Sequence, residues 1–86
     1  MPASDHLENL GRGLRALRVG AGLAGKELAE ELGWPASKVS RIELARQNAS
    51  PADVTAWTTA TRASDRERAT LLGLLDQARN EHRTHR

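Results

Sequence analysis

The sequence has no cysteine, no phenylalanine and no tyrosine, and only one methionine and two tryptophans. Without cysteine there can be no disulfide, no thiolate metal site and no cysteine nucleophile, and a reducing cytoplasmic setting is expected. No apolar run approaches the roughly 20 residues that a membrane-spanning helix needs. Met1 to Ser4 lead directly into charged residues, without the apolar centre of a signal peptide, so a soluble protein is expected. With most aromatics missing, a core must be built from Leu, Val, Ile, Ala and the two Trp. Eighty-six residues allow one small core of this kind and leave no room for a large enclosed active site.

Charge excludes less. Thirteen basic against eleven acidic residues leave a formal charge of +2, a weak pointer to nucleic acid, so the distribution matters more. Eleven of the thirteen are arginine. The planar guanidinium fork suits phosphate and guanine, although a base-composition bias would give the same count. No nucleophile motif or phosphate loop is present, and Glu27, Glu30 and Glu31 read as a solvated helix face. His6, His82 and His85 fall towards the two ends. His82 and His85 could share a metal with Glu81 only by accident, so no metal, no cofactor and no enzymatic activity are expected.

The periodicity predicts five helices. Residues 1–5 read as a loose arm. From His6 to Val19, Leu7, Leu10, Leu14 and Leu17 form one apolar stripe. Gly20, Ala21 and Gly22 stop it, and Leu23 leads into a second helix over about 24–32. Gly33-Trp34-Pro35 then makes a tight turn, with Pro35 suited to the start of a third helix that runs to about Leu44. After a polar connector at 45–49, Ser50-Pro51-Ala52-Asp53 reads as a cap, a first-position proline and a first-turn acid. Val54, Trp57 and Thr61 share a face of the helix that follows. Ser64 and Glu67 have capping-box spacing and open a fifth helix from Asp65 to Glu81 or beyond, whose stripe is Leu71, Leu72, Leu74, Leu75 and Ala78. The expected fold is an all-α bundle over residues 6–81, with a basic tail at 82–86.

The organising stretch is Leu28 to Glu43, LAEELGWPASKVSRIE. Leu28, Ala29 and Leu32 give the second helix one apolar side, and Val39 and Ile42 do the same for the third. The other side of the third helix therefore faces outward and carries Ser37, Lys38, Ser40 and Arg41. This arrangement resembles the helix-turn-helix of the Xre family of transcriptional regulators, the Cro and phage-repressor-like fold, over roughly residues 7 to 62. The resemblance implies sequence-specific binding of double-stranded DNA, with the helix at about 36–44 lying in the major groove. Ser37, Lys38 and Arg41 then become the base-reading candidates, Arg41 foremost because its fork matches guanine O6 and N7. Lys26, Ser40, Arg46, Gln47 and Asn48 become backbone-contact candidates; the plainer reading of Lys26 is a solvated cation paired with Glu30. The resemblance also implies a structural ion pair between Arg18 and Glu43, a homodimer on an inverted repeat, and residence on the nucleoid when DNA is bound. In some relatives a regulatory domain follows.

The chain departs from the family pattern at three places. Ala24 and Gly25 replace a hydroxyl cap and a phosphate-binding glutamine. Ala36 replaces a polar residue at the second position of the reading helix. Leu44-Ala45 replaces the usual Asn-Gly, which removes a favoured left-handed stop and predicts a longer third helix. These departures motivate a second reading, an antitoxin-like or adaptor module with weak DNA binding that grips a protein partner through Leu71, Leu72 and Leu75.

Overall fold

The computed structural model describes residues 5–84, with side chains described as far as residue 80. Its helices are α1 (Asp5–Gly20), α2 (Gly25–Leu32), α3 (Ala36–Glu43), α4 (Pro51–Ala60) and α5 (Asp65–Thr84), with no strand among the described residues. The predicted N-terminal arm lies outside the described residues except for Asp5, which opens α1. The side chains of Glu81, His82 and His85 lie outside them too.

The apolar stripes meet in one core. Leu10 and Leu14 of α1, Leu28 and Ala29 of α2, Val39 and Ile42 of α3, Val54 and Trp57 of α4, and Leu71 and Leu75 of α5 are all buried. Leu7 and Leu17, at the two ends of the α1 stripe, are half-buried against it. α1 packs along α5 and also meets α3 and α4, so the first helix spans the bundle. Trp57 fixes this crossing: its indole Nε1 donates to the Leu14 carbonyl at 3.0 Å in the interior. Thr58 is fully buried because its hydroxyl donates within α4 to the Val54 carbonyl (2.9 Å) and accepts from Arg68 Nε of α5 (2.9 Å). A buried hydroxyl is tolerable only when it is satisfied in this way.

The wide stripe of α5 belongs to the core. Leu71, Leu75 and Ala78 point inward, whereas Leu72 and Leu74 are half-buried at the edge. Leu71 and Leu75, two of the three leucines named for a partner surface, are thus used in packing, and Leu72 remains at the edge.

The helix starts follow the sequence signals. Ser50 Oγ accepts the Asp53 N–H and Asp53 Oδ2 accepts the Ser50 N–H, both at 3.0 Å, and Ser64 and Glu67 repeat the exchange at the head of α5. The ends are less predictable. All four connections close with the same pair of backbone hydrogen bonds, a Schellman motif that satisfies carbonyls of the last turn. Two of them place glycine at the left-handed position, Gly22 at φ 76° and Gly33 at φ 72°. The other two use Ala45 (φ 59°) and Arg62 (φ 58°).

The extension of α3 predicted from Leu44-Ala45 therefore does not occur. Arg46 N–H bonds to the Arg41 carbonyl (2.8 Å) and Ala45 N–H to the Ile42 carbonyl (3.1 Å), so the helix stops without glycine. Tertiary packing forces a left-handed conformation on a residue with a Cβ, at a cost of about 1–2 kcal/mol. Ala45→Gly should consequently raise stability, by about 0.5–1 kcal/mol once glycine's larger unfolded-state entropy is subtracted. A urea-denaturation midpoint that falls on this substitution would show that the conformation carries no strain.

Candidate nucleic-acid interface

Two short helices and the turn between them build the site. α2 has no side-chain cap at Ala24, but Glu27 partly replaces it, since its Oε1 accepts the Ala24 N–H at 2.7 Å. A Cβ at Gly25 would lie 3.8 Å from Val39 Cγ1, an ordinary contact, so glycine is not required there. Gly33 turns the chain, and Trp34 N–H returns to the Ala29 carbonyl at 2.9 Å. Pro35 is the N-cap of α3, one position outside the helix, which starts at Ala36.

With Val39 and Ile42 only 1–2% exposed, the rotation of α3 about its axis is fixed. Ala36, Ser37, Ser40 and Arg41 are exposed on the opposite side. Ser37 and Arg41, four residues apart, stand one above the other on the helix surface. Arg41 has no ion-pair partner among the described residues, so its guanidinium is unengaged. Arg46 follows the turn that ends α3 and is exposed, as is Asn48, whereas Gln47 is half-buried. Lys26 is exposed in the first turn of α2 and makes no ion pair with Glu30 among the described residues.

The far end of α3 is held by α1. Arg18 Nε donates to Glu43 Oε2 at 2.6 Å and Nη2 to Oε1 at 3.0 Å, a two-pronged contact that fixes orientation as well as distance. Arg18 Nη1 also donates to the Leu23 carbonyl at 2.9 Å. The two side chains are 14% and 10% exposed. The hydrogen bond to Glu43 holds the Arg18 guanidinium pKa above its ordinary value, against the opposing effect of burial. Gly11 of α1, which the periodicity alone does not single out, also takes part in this contact. A Cβ on Gly11 would fall 2.5 Å from the Glu43 carbonyl oxygen and 2.9 Å from that of Ile42, both backbone atoms. Its sequence signal is a glycine inside a helical pattern, which costs stability, but the signal is not specific, since a Cβ at Gly73 inside α5 would meet nothing within 4 Å.

Lys38 differs from the other outward residues of α3. Its Nζ lies 3.2 Å from Asp53 Oδ1 at the head of α4 and 4.1 Å from the centroid of the Trp34 ring. Trp34 in turn meets Trp57 edge-on, with ring centroids 6.1 Å apart at 60°. The base-reading group drawn from the sequence is thus divided, with Ser37 and Arg41 unengaged and Lys38 already occupied. Burial pushes the Asp53 pKa up, but the Ser50 N–H, Lys38 and the Ser50 hydroxyl together bring it below the ordinary aspartate value. The stabilisation linked to that shift is fully present above the unfolded-state pKa of about 3.9 and is lost as pH falls through the lower folded-state value.

Among the described residues no three His, Asp or Glu side chains cluster to hold a metal ion, and no helix is long and apolar enough to cross a membrane. Comparison with curated proteins finds no match. A family model described as a helix-turn-helix domain matches residues 9–71, from the second turn of α1 to the second turn of α5. The match takes in both short helices, the Gly33 turn and the α1 and α4 contacts that hold α3, and it covers most of the chain, which therefore belongs to the helix-turn-helix family of DNA-binding domains.

Proposed function

We propose that the chain is a sequence-specific transcriptional regulator of the Xre type, which inserts α3 into the major groove of double-stranded DNA. The observation that carries this reading is the outer face of α3, where Ser37, Ser40 and Arg41 are exposed on a helix whose rotation is fixed from behind. Arg41 reads guanine through its fork, Ser37 reads the neighbouring base edge, and Ala36 offers a methyl to a thymine. Lys26, Ser40, Arg46, Gln47 and Asn48 contact phosphates and set the register without carrying sequence information. One such module buries little surface, so two copies bind an inverted repeat with half-sites about one helical turn apart. The protein acts in the cytoplasm, on the nucleoid.

Fluorescence-anisotropy titration tests this, using DNA from immediately upstream of the protein's own gene and a scrambled duplex, each at two salt concentrations. Tight binding confined to the upstream DNA is expected. Weak, equal binding to both duplexes that vanishes with salt would reduce the interaction to phosphate attraction and end the proposal. Arg41→Ala should lower the preference for upstream DNA by about 1–3 kcal/mol with little change on scrambled DNA. Arg46→Ala should weaken both equally and reduce the salt slope by about one. Equal losses on the two duplexes for Arg41→Ala would remove that residue from base reading.

A further inference from the structure

Lys38 sits on the outer half of α3, where a free cation would be drawn into any DNA groove that the helix entered. It is not free. Its ammonium lies over the Trp34 ring and meets Asp53, the residue that also closes the capping box of α4 through Ser50. The side chain is 26% exposed and that of Asp53 18%, so water screens the contact only partly. Trp34 is itself seated against Trp57 in the centre of the core. Lys38 therefore ties together α3, the turn before it and the first turn of α4, beside the Trp34–Trp57 contact and the shared core.

We propose that Lys38 is a positioning residue, clamped between Trp34 and Asp53, which fixes the pitch of α3 against α4 so that Ser37 and Arg41 meet the base edges. The far end of α3 is pinned to α1 by Arg18 and Glu43. Helices this short are too brief to hold a direction by themselves. Val39 and Ile42 in the core fix the rotation of α3 about its axis, and polar attachments towards its two ends, to different helices, add control over its pitch. Asp53 supplies the second attachment at little extra ordering cost, because its carboxylate is already held by the Ser50 N–H.

The inference rests on the regulator reading for its consequences on DNA, but the clamp itself is testable without DNA. Amide hydrogen exchange of the free protein is compared for wild type, Lys38→Met, Asp53→Asn and the double variant; methionine keeps an unbranched side chain of similar length without the charge, and asparagine keeps most of the cap. Faster exchange in α3 is expected in both single variants, with core amides of α1 and α5 unchanged and the double variant no worse than either single one. Lys38→Arg should restore protection. Unchanged α3 exchange in both single variants overturns the proposal whatever happens on DNA.

The second readout is anisotropy on the two duplexes. A clamp predicts that Lys38→Met and Asp53→Asn reduce the preference for upstream DNA alike and leave the salt slope where it was. A Lys38 that leaves Asp53 to contact DNA predicts a salt slope lowered by about one for Lys38→Met and tighter binding for Asp53→Asn, and that pair of results also overturns the proposal. If the wild-type protein fails to distinguish the duplexes while α3 exchange still accelerates, the regulator reading fails and the clamp stands.

Discussion

Glu43→Ala is expected to destabilise the protein by about 3 kcal/mol, the lower end of the range for leaving one member of a buried ion pair uncompensated, because the Arg18–Glu43 pair is only partly buried. Arg18 would retain its bond to the Leu23 carbonyl, but its Nε and Nη2 donors, half-buried in the fold, would lose the carboxylate they now meet. A domain of this size is stable by only about 5–10 kcal/mol, so a loss of that order removes much of the margin. Urea denaturation followed by tryptophan fluorescence measures it. The control is Arg18→Met combined with Glu43→Leu, which replaces the pair by apolar volume and should recover most of the loss, because a buried pair adds little over well-packed hydrophobic groups. A single-variant cost below about 1 kcal/mol would mean that the pair is solvated and behaves like a surface contact. The double variant separates stability from aim. It should fold well, yet bind DNA with a poorer preference, since apolar contact does not fix direction as two parallel hydrogen bonds do.

The ion pair does not act alone. Gly11 lets the backbone of α1 approach the last carbonyls of α3, at a distance where even a methyl group would collide with Glu43 O. That approach brings α1 near enough for Arg18, two turns further along, to reach Glu43 from the same side. The close packing and the charge contact are thus two consequences of one helix crossing, and the crossing is placed by Leu10 and Leu14 in the core.

What could be read from the chain before its structure follows a clear physical division. Local and periodic signals survived folding: Leu10 and Leu14, Val39 and Ile42, and Leu71 and Leu75 turn inward as their spacing requires, and Ser50 and Ser64 cap the helices that follow them. Because Val39 and Ile42 define the inner side of α3, its outer side was legible as well. Signals that depend on distant packing were not legible. Ala45 and Arg62 end helices in a conformation that neither residue favours, so propensity pointed to a longer α3. Lys38 looked like another exposed cation because its partner, Asp53, lies fifteen residues further on in a different helix. Position along the chain could not reveal that the first turn of α4 folds back beside α3. The Arg18–Glu43 contact, across twenty-five residues, was suggested only by resemblance.

Trp57→Ala should be the most damaging single substitution in the core, with a cost of about 3–5 kcal/mol for the volume removed and no side chain long enough to refill it. Trp57 is fully buried and does three separate jobs. It fills the space between α1 and α4, donates its indole N–H to the Leu14 carbonyl, and supports Trp34 at its edge. Trp57→Phe separates these contributions, because it keeps an aromatic ring but loses the donor and part of the volume. Its cost should be smaller, about 1–3 kcal/mol, combining one lost hydrogen bond with a modest cavity. Both variants retain Trp34 as the only fluorophore, which makes urea denaturation a local report on the turn before α3 as well as a measure of stability. If Trp34 depends on Trp57 for its seat, its emission in the folded Phe variant should shift to longer wavelength as water reaches it. The Lys38 ammonium would then lose the ring beneath it. A Phe variant with unchanged folded emission would show instead that Trp34 is held by its own turn, through the bond from its N–H to Ala29. In that case Trp57 does not act on α3 through Trp34, and α3 is held by Val39 and Ile42 in the core together with its contacts to α1 and Asp53.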